Sequence, residues 1–225
     1  FNITREAMDE FAWNSQQKAL AAIKAGHFES QILPLEIREG KNTRIFDTDE
    51  HPRDTPKEKY AQLKPAFKKD GTVTAATSSG INDGAGALVI TTRAKAEQLG
   101  LPIRMVIRGW AVAGCEAEIM GFGPAPATKK LMKKLNMSVH DIDLIELNEA
   151  FAAQSLAVIN DLKLDPAKVN VNGGAIALGH PIGASGAIIS VKLMYEMERR
   201  NLNTGLATMC IGGGQGISVL FERER

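Results

Sequence analysis

The chain has 225 residues, and its 27 basic and 26 acidic side chains leave a formal net charge of +1. This near-zero charge argues against nucleic-acid binding, which usually requires a basic excess. No apolar run approaches the roughly 18 residues that are needed to cross a bilayer. The two cysteines cannot form a disulfide framework, which favours a reducing compartment. A chain of this length can bury about 70% of its unfolded surface in a core.

A helix is predicted over residues 4–25, because Thr4 can cap its first turn and Gly26 follows its last one. The segment 27–70 is rich in charged residues and proline, and it is predicted as an extended, partly looped excursion over the surface. Because the chain starts with Phe1 and the helix cap follows at once, we expect that the sequence is cut from a longer protein.

From about residue 80, short apolar strands alternate with helices. The predicted strands span 87–91, 105–113, 144–147, 168–172, 206–211 and 217–222. The predicted helices span 93–99, 127–135, 150–162 and 183–199. This alternation predicts a layered α/β fold. The last two strands are joined by a glycine-rich turn and can form an antiparallel hairpin, so we expect a mixed sheet.

Asn148 and Glu149 form a polar pair directly after the apolar run 142–147. Loops that follow strands are where α/β proteins usually place their sites. Asn148 can simply cap the next helix. Its amide can also hold a water or a substrate oxygen at the edge of the sheet, and the two roles are compatible.

One histidine, His180, stands among small and flexible residues in the segment 172–186. Pro181 restricts His180 to an extended backbone, so the loop sets the direction of the imidazole ring. A lone histidine is more often structural than catalytic, but this rigid setting makes the two alternatives about even. The glycines match neither a Walker A loop nor a dinucleotide fingerprint, which argues against a nucleotide-phosphate site.

Cys210 lies near the end of an apolar strand, just before the glycine-rich segment 212–216. It is either a small buried hydrophobe before a tight hairpin or a thiol that exchanges a proton with a substrate. In the second case the glycine N–H groups can hold a negative oxygen. A free thiol with a pKa of about 8.5 is little ionised at neutral pH, so this role needs a polar neighbour such as His180.

The segments 148–152, 172–186 and 210–216 resemble three motifs of the thiolase family, in the order in which that family has them. The stretch 72–85 resembles the family's segment that leads into its coenzyme-binding serine. The resemblance covers the whole chain. It implies the layered α/β/α/β/α thiolase fold, of which this chain holds the C-terminal half with its mixed sheet and remnants of the loop domain and the N-terminal half.

The resemblance also implies catalytic roles for four residues. His180 takes the proton of the cysteine that carries the acyl group. Cys210 removes the α-proton of acetyl-CoA, or protonates the departing enolate in the reverse direction. Asn148, through a bound water, and His180 polarise the thioester oxygen of the second substrate, and the backbone N–H of Gly212 serves the other oxyanion hole.

In the family, coenzyme A is a substrate and product, and the resemblance implies neither a metal nor a further cofactor. Ser79 matches the position that contacts the pantetheine arm of coenzyme A. Four residues match positions that line the pantetheine and acyl pocket: Phe67, Met120, Ala150 and Phe151. Ordinary core packing is the alternative for Phe67, Met120 and Phe151.

The sequence departs from the family at the nucleophile. The family's nucleophilic cysteine lies in an N-terminal segment that this chain does not contain, and the surroundings of Cys115 do not match its motif, so we interpret Cys115 as structural. On the family's domain map, residues 1–79 end the loop domain. Residues 80–103 return to the N-terminal half as a strand and a helix without their neighbours, and residues 104–225 form the C-terminal domain.

Three functions stay open at this point. The first is an acetyl-CoA acetyltransferase of fatty acid metabolism, which condenses two acetyl-CoA or cleaves 3-ketoacyl-CoA with coenzyme A once the N-terminal portion is present. The second is a non-catalytic fragment that binds acyl-CoA or a partner, and the third is a Cys–His hydrolase built on Cys210. The resemblance further implies a homo-oligomer without nucleic-acid or membrane partners. We prefer a bacterial-like cytoplasmic location to an organelle matrix.

Overall fold

The computed structural model describes residues 1–224. The helices are α1 (Arg5–Lys24), α2 (Arg93–Gln98), α3 (Pro124–Leu135), α4 (Ala152–Leu162), α5 (Ala175–Leu178) and α6 (Ser185–Arg199). The strands are β1 (Leu35–Glu39), β2 (Asn42–Phe46), β3 (Met105–Gly114), β4 (Leu144–Leu147), β5 (Thr204–Ile211) and β6 (Gln215–Arg223). Short 3-10 turns connect several of these elements.

The central sheet has four strands in the order β3-β6-β5-β4. β3 and β5 each pair antiparallel with β6, and β4 pairs parallel with β5. The sheet is therefore mixed, and the predicted hairpin of the last two strands is confirmed. Beyond β4, Val169 forms an isolated parallel bridge with Ile145, which covers part of this edge of the sheet.

Helices cover both faces of the sheet, and the side chains of β4 alternate between them. Ile145 packs in the cluster that contains Leu131 of α3 and residues of α4. Its neighbour Leu144 packs in the cluster around Leu193 of α6. All four side chains are at most 2% exposed. The carboxyl end of β4 is thus held rigidly between two cores.

α1 adds a further layer outside the sheet and its helices. Met8 of α1 packs in one cluster with Ile176 of α5, and both are 1% exposed. The Arg5 guanidinium donates to the carbonyl of Tyr60 at 2.7 Å, which fastens the N-terminal segment to the chain that follows it. Among the helices within residues 1–224, none is long and apolar enough to cross a membrane.

The predicted helices with clear capping signals are confirmed. α1 begins directly after Thr4, whose side-chain oxygen accepts the N–H of Ala7 at 3.2 Å. α6 begins at Ser185, two residues later than predicted. The N–H groups of Ala184 and Ser185 both donate to the carbonyl of Pro181 at 2.8 Å, so a turn precedes the helix.

Two predicted strands were wrong. The described residues 87–91 form no strand, and Val89 is 89% exposed, because this apolar run has no neighbouring strand to pair with. The segment 168–172 contributes only the single bridge at Val169, since Asn170 turns into the left-handed region with a φ of 45°. The excursion 27–70 contains the antiparallel hairpin β1–β2, which its charged composition concealed.

Candidate active site

Two of the candidate residues lie at the carboxyl ends of neighbouring parallel strands. Asn148 comes directly after β4, and its backbone N–H donates to the carbonyl of Thr208 in β5 at 2.9 Å. Cys210 lies two residues further along β5, opposite Gly216 of β6. Asn148 is 1% exposed and Cys210 is 8% exposed. Because parallel strands end at the same edge of a sheet, the amide and the thiol belong to one edge.

His180 reaches the same edge from the loop between α5 and α6. Its ring nitrogen Nε2 lies 3.4 Å from Nδ2 of Asn148. Its backbone N–H lies 3.2 Å from both the carbonyl of Gly80 and the side-chain Oδ1 of Asn82. The preceding Gly179 has a φ of 94°, and a Cβ there would approach Asn82 Oδ1 to 2.6 Å. The loop therefore needs glycine at 179 in order to present the histidine.

Burial favours the uncharged form of both His180 and Cys210. It lowers the pKa of the half-buried His180 and raises the pKa of the Cys210 thiol. A backbone hydrogen bond to Cys210 acts to lower the pKa of this thiol, whereas the charge of the nearby Cys115 raises it further. At neutral pH the site thus holds a neutral imidazole, which can accept a proton, and a protonated thiol, which can give one.

The glycine turn after Cys210 leaves its backbone open on one side. Gly213 and Gly214 have φ values of 89° and 93°, which only glycine adopts without strain. A Cβ on Gly212 would meet nothing within 4 Å, so a ligand atom can approach its backbone. The other side of the turn is packed, because the carbonyl of Gly214 accepts the N–H of Cys115 at 2.8 Å.

Four of the five predicted coenzyme-binding residues lie together. The N–H of Ser79 donates to the carbonyl of Ala150 at 3.0 Å, and the rings of Phe67 and Phe151 meet edge-on with centroids 6.2 Å apart. Phe67 is 72% exposed, so the alternative of ordinary core packing is wrong for this residue. Met120 is half-buried in the 3-10 turn Ala117–Phe122, which packs against α4.

Glu149 is a part of the site whose role the sequence did not reveal. Its side chain is 1% exposed. The carboxylate accepts hydrogen bonds from Ser15 Oγ at 2.6 Å, Asn170 Nδ2 at 2.7 Å and the N–H of Ile176 at 3.2 Å. Burial raises its pKa, while these donors oppose the shift. Glu149 thereby joins α1, the turn after β4 and the loop that leads to His180. Its position between Asn148 and a buried helix was the only signal of this role.

A second buried ionic group lies on the α6 side of the sheet. Lys192 Nζ lies 2.9 Å from a carboxylate oxygen of Glu146 in β4 and donates to the carbonyl of Gly173 at 2.7 Å. Both side chains are less than 9% exposed. The pair ties α6 to the start of the histidine loop and was not predicted from the sequence.

The fold and the site define an α/β protein with an amide, an imidazole and a thiol at one edge of a mixed sheet. The match to known families is specific: residues 101–223 match the thiolase C-terminal domain, and residues 1–94 match the thiolase N-terminal domain. The chain belongs to the thiolase family.

Individual relatives agree with this assignment. The chain is 53% identical over 226 residues to an acetyl-CoA acetyltransferase of Pseudomonas aeruginosa, which covers 100% of this chain and 58% of the relative. It is 52% identical over 224 residues to an acetyl-CoA acetyltransferase of Escherichia coli, in an alignment that covers 99% of this chain and 57% of the relative. The chain thus spans less than three fifths of these relatives.

Solved structures share the fold. The acetyl-CoA acetyltransferase of Bacillus anthracis superposes with a TM-score of 0.96 at 51% identity, over 99% of this chain and 57% of that one. Human mitochondrial 3-ketoacyl-CoA thiolase in complex with CoA superposes with a TM-score of 0.95 at 45% identity, over 99% and 55%. The predicted thiolase fold is confirmed.

Proposed function

We propose that this chain supplies the second cysteine, the histidine and the asparagine of an acetyl-CoA acetyltransferase. The proposal rests on one observation above all: Nδ2 of Asn148 lies 3.4 Å from Nε2 of His180 at the sheet edge where β5 carries Cys210. We call the protein that contains this chain together with the family's nucleophilic segment the assembled enzyme.

The first half of the reaction needs a base. The thiol of the nucleophilic cysteine transfers its proton to Nε2 of His180, and the resulting thiolate attacks the acyl carbon of the first thioester. The acyl group passes to this cysteine, and coenzyme A leaves as a thiol after it receives a proton. The lowered pKa of His180 supports this role, because a neutral imidazole has a free lone pair for the incoming proton.

Making or breaking the carbon–carbon bond needs proton exchange at the α-carbon. In thiolysis the ketoacyl chain is cleaved between its α- and β-carbons, and Cys210 gives its proton to the enolate of acetyl-CoA that departs. In synthesis Cys210 first gives its proton to the coenzyme A that leaves. The resulting thiolate then removes the α-proton of acetyl-CoA, and the enolate attacks the acyl-cysteine. The raised pKa of Cys210 supports the protonated thiol as the resting form.

Two groups are placed to stabilise the negative oxygens. The Oδ1 atom of Asn148 is buried and has no hydrogen-bond partner among residues 1–224, so it is free to accept from a water that holds the thioester oxygen. The backbone of Gly212 faces open space and serves the tetrahedral intermediate. One such donor is typically worth about 2.7–4 kcal/mol of the barrier.

Coenzyme A is then substrate and product, and its pantetheine arm runs past Ser79, Ala150 and the paired rings of Phe67 and Phe151. The 72% exposure of Phe67 supports a role for its ring in binding a ligand. Met120 lines the acyl end of the same pocket. Assembly into a homo-oligomer and a cytoplasmic location complete the proposal.

The deciding experiment is Cys210→Ser in the assembled enzyme. A serine hydroxyl cannot replace the thiol in proton exchange, so we expect acetoacetyl-CoA thiolysis to fall at least about 100-fold, within the range that general acid–base catalysis contributes. Cys115→Ser is the matched control and should keep the activity. Near-normal turnover of Cys210→Ser, in a protein with an unchanged circular dichroism spectrum, would contradict the assignment.

The other two functions make different predictions. A non-catalytic fragment would bind coenzyme A in calorimetry and stay inactive even when the nucleophilic segment is supplied. A Cys–His hydrolase would trap an acyl group on Cys210, which mass spectrometry detects. The raised pKa of Cys210 speaks against the hydrolase, because nucleophilic cysteines have lowered pKa values.

A further inference from the structure

The imidazole of His180 has a polar contact at each of its two nitrogens. On one side, Nε2 lies 3.4 Å from Nδ2 of Asn148. On the other side, Nδ1 lies 2.6 Å from the hydroxyl oxygen of Ser185, the first residue of α6. The same hydroxyl lies 2.9 Å from the carbonyl oxygen of Pro181. Ser185 is 3% exposed, so bulk water does not compete for its hydroxyl.

One distribution of protons makes all three contacts hydrogen bonds. The carbonyl of Pro181 can only accept, so the single hydroxyl proton of Ser185 must point to it. Ser185 Oγ then has lone pairs left for Nδ1, and Nδ1 must carry the ring proton. The amide group of Asn148 can only donate, which requires a bare Nε2. If Ser185 donated to the ring instead, its oxygen would face the carbonyl of Pro181 without a proton between them.

We propose that Ser185 is a positioning residue that holds His180 in the tautomer with the proton on Nδ1. This inference rests on the proposed function, because it explains how Nε2 is kept bare to receive the proton of the nucleophilic cysteine. Ser185 does not touch the reacting atoms. It acts through the histidine, as the partner of the ring nitrogen that faces away from the chemistry.

The surrounding loop leaves the Ser185 hydroxyl to determine the orientation of the His180 ring. The backbone N–H of His180 is held by Gly80 and Asn82, which leaves the side-chain torsions free to turn. The N–H of Ser185 donates to the carbonyl of Pro181 at 2.8 Å, so the hydroxyl and its acceptor share one rigid turn. Among residues 1–224, a ring that loses this partner keeps one polar contact, the 3.4 Å approach to Asn148, which is longer than a typical hydrogen bond and holds the ring less firmly.

The direct test is the tautomer itself. We would label the histidines of the chain with ¹⁵N and record long-range proton–nitrogen spectra above the pH at which His180 titrates. The chain has four histidines, and a His180→Asn variant identifies the signal that belongs to position 180. The expected result is a pyrrole-like Nδ1 and a pyridine-like Nε2. A proton on Nε2 would overturn the inference and leave the Cys210→Ser test of the proposed function untouched.

Variants in the assembled enzyme test the consequence. Ser185→Ala should mix the two tautomers and lower kcat about 10- to 100-fold, the usual cost of removing a partner that orients a functional histidine, with little change in KM. Ser185→Thr keeps the hydroxyl and should restore most of kcat. The matched control is Ser190→Ala on the same helix, whose hydroxyl only donates to the carbonyl of Gly186 at 2.8 Å.

Each result decides the question. An unchanged tautomer and kcat in Ser185→Ala, or an equal loss in Ser190→Ala, would refute a positioning role. If Ser185→Ala does not fold, the wild-type spectrum and the Ser185→Thr kinetics still decide it. A Ser185→Thr variant that folds, keeps the Nδ1 proton and loses activity as Ser185→Ala does would also count against the inference.

Discussion

Glu149 and Gly174 offer a sharp test of how the site is held together. Gly174 lies directly over the carboxylate, and a Cβ at this position would collide with the carboxyl carbon of Glu149. The φ of Gly174 is −126°, which any residue adopts, so the glycine is required by this close approach and not by its backbone angle. Removing the carboxylate should therefore make room for an alanine.

The magnitudes follow from the contacts. Glu149→Ala removes three hydrogen bonds, each worth about 1 kcal/mol net, so we expect the free energy of unfolding to fall by about 3 kcal/mol. Gly174→Ala forces the pinned carboxylate aside and should cost about 1–3 kcal/mol through overpacking. In the double variant the methyl group fills vacated space, so the total should be smaller than the sum by about 1–3 kcal/mol.

Urea unfolding followed by circular dichroism and by tryptophan fluorescence measures all four free energies of the cycle, and coincident curves from the two probes justify a two-state analysis. The control is Gly183→Ala, since a Cβ there would meet nothing within 4 Å. Its effect should add to that of Glu149→Ala within about 0.5 kcal/mol. If the effects of Gly174→Ala and Glu149→Ala on the unfolding free energy also add within this margin, the Glu149 carboxylate is not the reason why position 174 requires glycine.

Two further predictions concern Glu196 and Phe67. Burial alone raises the pKa of Glu196, but hydrogen bonds from Arg199, Asn172 and Arg200 lower it to about 2. The ionised Glu196 therefore stabilises the fold fully above pH 4.5, the ordinary pKa of the group, and this stabilisation is lost as the pH falls towards 2. Glu196→Gln should flatten the pH dependence of the unfolding free energy between these two values. An unchanged slope would contradict the assignment. In steady-state kinetics of the assembled enzyme, Phe67→Ala should raise the KM for coenzyme A about tenfold, equivalent to about 1.4 kcal/mol, and leave kcat unchanged. An equal fall in kcat would mean that Phe67 acts in the chemical step instead.

Local signals in the sequence predicted local structure. Thr4 and Gly26 fixed α1 to within one residue at each end, because caps act on the turns beside them. The segment 87–91 has the composition of a strand and yet forms none within the described chain, since a strand requires a partner that the segment itself does not specify. The hairpin β1–β2 was missed for the converse reason: its strands are mostly exposed, and only their pairing defines them.

In the candidate site, too, local features could be predicted from the sequence and contacts between distant segments could not. The motif residues were identified from their setting, but the 3.4 Å approach of Asn148 to His180 depends on how the sheet and the loop after α5 pack, which spacing alone does not give. The roles of Glu149 and Ser185 were not predicted, because their partners are distant in sequence or ordinary in type. Ser15, for example, lies 134 residues before the carboxylate to which it donates.

The protonation states of the two reactive groups bear on the order of events. Burial is the first cause of both shifts: it lowers the pKa of His180 and raises that of Cys210. Both shifts favour the uncharged form at neutral pH, so an imidazolium–thiolate pair is not the favoured resting state of these two side chains. Under the proposed function the first charge comes from outside these two side chains, when a thiol of the nucleophilic segment gives its proton to His180. In the direction of synthesis an imidazolium can then stabilise the thioester oxygen, so under the proposed function we expect acylation to precede proton exchange at the α-carbon.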